Sequence, residues 1–275
     1  MFLHCLNGTL ACALMLVFFG AGAAERELRV CADPDNLPYS REDGTGFENR
    51  IAQLLAAELH AKLTYAWLPQ RRAFVRKTLD ARLCDVIVGV PENFEPVRTT
   101  RPYYRSVFVF AYRAQGARAY RAFDDPQLAS AKIGVQLVGN DLAATPPGHA
   151  LAARGLVDNV VGYVVYGERP QAERMIESVA NGTLDVAILW GPPAAYFARA
   201  QRVPIALAPA HAPPELAAVP FEYSMSLGVR KADVDLQHEL DAVLLRRRDE
   251  IDAILDQYGV PRADAPHAQS AQVKQ

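Results

Sequence analysis

The chain is 275 residues long and 51% apolar, with 29 basic against 31 acidic side chains for a formal charge of −2. That length and apolar fraction are enough for one large domain or two lobes, and they exclude a natively disordered chain. The near balance of charge supplies no field for a polyanion, so nucleic acid is not an expected partner.

Leu10 to Phe19 (LACALMLVFF) is an apolar run too short to span a bilayer, and small residues follow it at Ala21-Gly22-Ala23-Ala24. The pattern predicts a signal peptide over 1–24, cleaved near Ala23/Ala24, although no Lys or Arg precedes the run. Thr9-Leu10-Ala11 before Cys12 does not fit a lipoprotein signal. No later stretch is long and apolar enough to cross a membrane, so the mature chain is expected to be exported with no membrane span. Cys5 and Cys12 leave with the signal, and Cys31 and Cys84 remain. In an oxidising compartment two thiols usually pair, which predicts a disulfide; the alternative is two buried free thiols. No His or third Cys stands at ligand spacing from them, so no metal is expected there.

From Glu27 onward, short β-type runs alternate with helical patterns, the mark of a layered α/β architecture. Leu28 to Ala32 predicts a first strand, ended by Asp33-Pro34-Asp35-Asn36-Leu37-Pro38. Thr45 and Glu48 stand at capping-box spacing before a helix with Ile51, Leu54, Leu55 and Leu59 on one face. Lys62 to Leu68 predicts the second strand, Gln70 to Leu83 a second helix, and Asp85 to Val90 (DVIVGV) a third, fully buried parallel strand. Arg105 to Arg113 is again strand-like. A second lobe then opens with strand Lys132 to Gln136, turns at Gly139-Asn140, and breaks at Pro146-Pro147. Helix Gln171 to Ala180 and strand Asp185 to Trp190 follow. After the Pro-rich stretch Pro204 to Pro220, strand Ser224 to Val229 returns to the first lobe, and one long helix from Asp233 to Tyr258 closes it.

The expected architecture is therefore α/β and two-lobed, each lobe a mostly parallel sheet flanked by helices. The first lobe takes 25–113 and 221–262, the second 114–220, and 263–275 is a flexible tail. Two crossovers, near Tyr112 to Arg118 and Pro220 to Ser224, form a hinge with a cleft between the lobes. Ligands bind in such clefts, outside the carboxyl ends of parallel strands. The residues expected to contact a ligand or partner are Asp33, Asp35, Asn36, Tyr39, Trp67, Gln70, Arg71, Arg72, Gly89, Pro91, Asn140, Asp141 and Trp190, all at strand ends or in the loops after them. A plainer reading makes Arg71, Arg72, Arg76 and Arg82 a solvated helix face. Asp33, Asp35, Glu42 and Asp43 lack the spacing of a calcium loop, and no metal or cofactor is expected. No nucleophile elbow, zinc-protease helix or phosphate loop occurs, which argues against an enzyme.

Gly46-Phe47 opening the first helix, the strand 85–90 and Pro102-Tyr103-Tyr104 together resemble the type II periplasmic solute-binding proteins of ABC importers. Pro69-Gln70-Arg71-Arg72, Thr99-Thr100-Arg101-Pro102-Tyr103-Tyr104-Arg105-Ser106, Gly134-Val135-Gln136-Leu137-Val138-Gly139 and Trp190-Gly191-Pro192 are similar, more narrowly, to the MoxJ/XoxJ branch. Those proteins are encoded with PQQ-dependent methanol dehydrogenases, the lanthanide-dependent kind included. The resemblance implies a periplasmic accessory protein whose partner is such a dehydrogenase, and it makes the first and third strands neighbours, within reach of a Cys31–Cys84 bridge. In amino-acid binders of this fold, hydroxyl side chains after the third strand and a downstream Arg hold the α-carboxylate, and an acidic residue after a second-lobe strand takes the ammonium. Here the hydroxyl positions fall at Gly89, Val90 and Pro91, Arg98 is the remnant of the Arg, and the acidic position falls near Trp190. A zwitterion would lose its charged partners, so an α-amino acid is disfavoured. The alternative functions are an importer component carrying some other small organic molecule, and an enzyme on the same fold.

Overall fold

The described residues of the computed structural model are 25–116, 118–138, 143–164 and 169–263, so the signal peptide expected over 1–24 and the tail beyond Ala263 lie outside them. The chain begins with β1 (Glu27–Ala32), the two-residue β2 (Asp35–Asn36) and β3 (Ser40–Arg41), α1 (Phe47–Glu58), β4 (Lys62–Trp67) and α2 (Phe74–Lys77). It continues through β5 (Val86–Pro91), β6 (Arg98–Thr99) and the long β7 (Tyr104–Arg113). The second lobe contains β8 (Ile133–Val138), β9 (Ala143–Ala144), α3 (Pro146–Ala153), β10 (Val160–Val164), α4 (Gln171–Ala180), β11 (Val186–Trp190), α5 (Gly191–Arg199) and β12 (Ile205–Pro209). Then β13 (Glu222–Val229) returns to the first lobe, closed by α6 (Val234–Arg246) and α7 (Arg248–Gln257). None of the described helices is long and apolar enough to cross a membrane.

Each lobe is built on a parallel triplet. In the first, β4, β1 and β5 run side by side, and Leu28, Val30, Val86 and Val88 meet Phe47, Ile51 and Leu55 of α1 and Leu240, Ile251 and Leu255 of the closing helices. In the second, β10, β8 and β11 form the triplet, with cores on both faces: Phe110, Ile133 and Ile188 on one, Val109, Met175 and Leu189 on the other. Strands buried on both faces read as continuous apolar runs, which is why 85–90 and 185–190 stand out in the sequence.

Four expectations are corrected. The first crossover lies inside β7 and not in the linker 112–118: Tyr104 to Val107 pair with β13, whereas Phe108 to Tyr112 pair with β11. The pairing thus passes to second-lobe strands before residue 113, where the first lobe was expected to end. The helix expected over 70–83 is a single turn, because Ala73 is left-handed (φ 67°) and Phe74, Leu79 and Cys84 are all drawn into one buried cluster that a straight helix could not serve. The closing helix breaks at Arg247, where Arg246 and Arg247 both bond Glu58. The capping box expected from Thr45 and Glu48 is displaced by one residue. Gly46 is the N-cap of α1, the Asn49 amide oxygen accepts from the Gly46 and Arg41 backbone N–H groups at 3.1 and 2.9 Å, and Glu48 turns inward.

After α7 the chain runs along the free side of β7: the Ala263 N–H donates to the Arg105 carbonyl at 3.0 Å, and the Ser106 hydroxyl donates to the Pro261 carbonyl at 2.6 Å. Ala263 itself packs on the second-lobe core.

Cys31 in β1 and Cys84 just before β5 form a disulfide with a Cα–Cα separation of 5.3 Å. It follows from the pairing of β1 with β5, in which Cys31 stands opposite Ile87. The bridge closes a span of 53 residues, so by the chain-entropy relation it stabilises the fold by about 4 kcal/mol. Replacing both cysteines by Ser, followed by urea unfolding, is expected to remove a large part of that stability; an unchanged midpoint would show the bridge to be idle.

Candidate functional site

The cleft between the lobes has a volume of about 430 Å³. Its first-lobe wall is the loop after β1 together with Pro69, Gln70 and Arg71; its second-lobe wall comes from the end of β8, the start of α4 and the start of α5. Aspartate chemistry shapes the first wall. Asp33 accepts from the Asp35 N–H through one carboxylate oxygen at 3.0 Å and from the Gln70 N–H through the other at 2.6 Å. Both Asp33 oxygens are thus engaged in tying two loops together, and Asp35 lies 3.7 Å from Arg41.

A pair of glutamines holds the second wall. The Gln136 side-chain oxygen accepts from the Trp190 backbone N–H at 2.9 Å, and its amide donates to Gln171 at 2.9 Å. Gln171 in turn donates to the carbonyls of Leu137 and Tyr163. The relay fixes the end of β8, the edge strand β10 and the first residue of α4, and so sets the position of Trp190. The indole rests edge-on against Phe108 and Tyr223, with ring centroids 5.3 and 5.6 Å away. From across the cleft, the Tyr39 hydroxyl approaches Trp190 as a hydrogen-bond partner. Burial first, then the nearby Glu48, push the Tyr39 phenol well above its ordinary value, so it stays protonated.

Glu48 is the electrostatic oddity of the region. Its side chain lies across Gly89, such that a Cβ on Gly89 would stand 2.0 Å from the Glu48 Oε1. Among the described residues no basic side chain pairs with it. Loss of water around the carboxyl, with Asp33 adding like charge, pushes its pKa up to about 8 from an ordinary 4.5. At neutral pH it is chiefly the neutral acid, surrounded by Tyr39, Tyr103 and Tyr104.

Of the residues expected from sequence to make contact, Asp33, Asp35, Asn36, Tyr39, Gln70, Arg71 and Trp190 line this cleft. Trp67 does not: it stacks on Tyr65 at 4.5 Å and packs on the first-lobe core. Arg72 faces a different cavity, Gly89 lies under the Glu48 carboxyl, and Pro91 is an exposed strand end paired with Met225. Asn140 and Asp141 lie outside the described residues. Arg98, read as the remnant of a carboxylate-binding arginine, donates from Nε to the Lys231 carbonyl at 2.9 Å. The sequence reading missed Gln136, Gln171 and Phe197. The first two were findable, since Gln136 ends a predicted strand and Gln171 opens a predicted helix.

No protein-family model matches the chain. In sequence it is similar to Protein MoxJ of Methylorubrum extorquens, 32% identical over 250 residues that cover 85% of this chain and 81% of the relative. It is similar also to Protein MoxJ of Paracoccus denitrificans, 33% identical over 252 residues, 85% of this chain and 88% of that one. In structure it is similar to the periplasmic binding protein XoxJ from Methylobacterium extorquens AM1, with a TM-score of 0.72, 37% identity, and coverage of 86% of this chain and 100% of the other.

Because the folded-state pKa of Glu48 lies above its ordinary value, the stability tied to its protonated form is complete below pH 4.5 and is lost as pH rises through about 8. Glu48→Gln, which keeps the shape and removes the titration, is expected to raise the melting temperature at pH 8.5 and leave it nearly unchanged at pH 4.5. Equal shifts at both pH values would refute the assignment.

Proposed function

The chain belongs to the MoxJ/XoxJ family, and on that premise we propose that it is a periplasmic accessory protein that binds a PQQ-dependent methanol or alcohol dehydrogenase, the lanthanide-dependent kind included. In this reading a segment of the dehydrogenase enters between the lobes, and binding assists the maturation or activation of that enzyme. The protein binds and does not itself catalyse.

The observation that carries this reading is the loss of an amino-acid grip at positions 89, 98 and 190. Where an amino-acid binder presents hydroxyls to a carboxylate, this chain presents Gly89 beneath a neutral Glu48, and the downstream Arg98 is occupied at Lys231. The position that would take an ammonium holds Trp190, braced by Phe108 and Tyr223. A zwitterion gripped at those positions would find neither charge partnered there, and an unpartnered charge taken out of water carries a penalty of several kcal/mol. A rigid aromatic beside amides and backbone is instead the chemistry of a protein-binding anchor.

A second reading rests on size. A cleft of about 430 Å³ falls within the range of pockets that enclose small organic ligands, about 300–1,000 Å³, which fits an importer component for a molecule other than an α-amino acid. Such a ligand would raise the melting temperature in a broad thermal-shift screen.

Purified protein mixed with the apo-dehydrogenase is expected to form a complex on gel filtration and to raise the enzyme's activity on reconstitution. Trp190→Ala is expected to weaken that complex about tenfold, the usual scale for truncating a buried aromatic anchor. No complex, together with unchanged dehydrogenase activity in a deletion strain, would sink the proposal.

A further inference from the structure

A second cavity lies on the first lobe and shares Gln70 and Arg71 with the cleft. Its volume is about 440 Å³. The floor is apolar: Phe74, Ile87 and Val90 are 6%, 2% and 3% exposed, and Phe94 and Pro96 complete the wall. The mouth is cationic. Arg72 and Arg76 stand on it, exposed, and neither makes a hydrogen bond or ion pair with any other described residue. Asp80 alone opposes them there, and the exposed Lys77 and Arg82 lie on the same segment of chain. In a protein whose net charge is −2, this is a local concentration of positive charge.

The cavity owes its shape to an unusual backbone. Ala73 holds a left-handed conformation immediately before the single turn of α2, and its neighbours are fixed by backbone bonds from Arg71 to Pro69 and from Phe74 to Arg71. A residue with a side chain adopts that conformation only where its surroundings enforce it, and such residues concentrate at functional sites. The floor belongs to the buried cluster that contains the Cys31–Cys84 bridge, so the cavity rests on the most constrained part of the lobe.

We propose that this cavity is a second binding site, separate from the interlobe cleft, for a segment of a partner protein that offers an aromatic or branched aliphatic side chain flanked by carboxylates. The apolar side chain fills the cavity over Ile87 and Val90, and the flanking Asp or Glu residues meet Arg72 and Arg76. Guanidinium groups are weakly hydrated and pair with carboxylates in a two-pronged geometry, which suits them to this role better than ammonium groups. The occupant is a protein segment and not a single small carboxylate, because the cations are spread along the exposed chain and match several acidic groups in succession.

The test is titration calorimetry with the peptide acetyl-Asp-Glu-Phe-Asp-Glu-Leu-amide. Binding is expected at low salt, weakening as ionic strength rises from about 0.02 to about 0.5 M. The exposed-site double variant Arg72→Glu/Arg76→Glu is expected to weaken binding about tenfold or more, as charge reversal at a complementary interface does. Replacing the peptide's Phe by Ser is expected to weaken it as well, while Trp190→Ala, which alters only the cleft, leaves it unchanged. The site is overturned if no heat is detected, if the double variant binds equally well, or if a peptide with Lys in place of its acids binds as tightly. Loss of binding in the Trp190 variant would move the peptide to the cleft, and equal affinity for phenylacetate would make this a small-molecule pocket; either result refutes the docking role. Failure here leaves the Trp190 test of the dehydrogenase complex standing.

Discussion

One strand governs this molecule. β7 enters at Tyr104 bonded to β13 and leaves at Arg113 bonded to β11 and β12, so the same backbone belongs to both sheets. The partner changes between Val107 and Phe108 without a gap in bonding, since the Phe108 N–H donates to the Phe221 carbonyl and the Phe108 carbonyl accepts from the Ala210 N–H. The cleft, its two walls and the tyrosines over its floor all take their relative placement from that one segment. Pro261 and Ala263, bonded to Ser106 and Arg105, add a third connection beside it.

Around that beam, polar groups are used for scaffolding more than for capture. Asp33 spends both carboxylate oxygens on backbone N–H groups, and Gln136 and Gln171 spend their amides on one another and on strand ends. At the base of the first lobe, burial opposes ionisation of Asp85, yet hydrogen bonds from Arg29 and Arg230 prevail and hold its carboxyl below the usual range. What the cleft offers is mixed: the rings of Tyr39 and Trp190, the amides of Asn36, Gln70 and Gln136, and the charged Asp35, Arg71 and Arg169. Such a lining combines aromatic contact with polar and charged groups, as protein interfaces do.

Much of this was legible from the residues in order. Helix 171–180 and strands such as 85–90 and 185–190 announce themselves through period and buried runs, and Cys31 and Cys84 as the two cysteines outside the segment expected to be a signal. The elements that escaped are those where tertiary demand overrides local pattern. Residues 70–83 have helical periodicity, but Leu79 and Cys84 must reach the same cluster as Phe74, and the chain turns at Ala73 to bring them there. Strand 205–209 hides in a Pro-rich stretch because it sits at the sheet's side, paired with β7 on one flank. Glu48 was invisible for a different reason: its spacing from Thr45 advertises a helix cap, and only the three-dimensional neighbourhood shows that Asn49 has taken that duty.

The contact between Glu48 and Gly89 also ties the two positions together. A serine placed at position 89 brings its Cβ to within 2.0 Å of the Glu48 oxygen, so that side chain must first retreat. Shortening residue 48 alone leaves an unfilled hollow over the glycine. The two positions therefore constrain one another, and a side chain fits at 89 only together with a smaller or displaced one at 48.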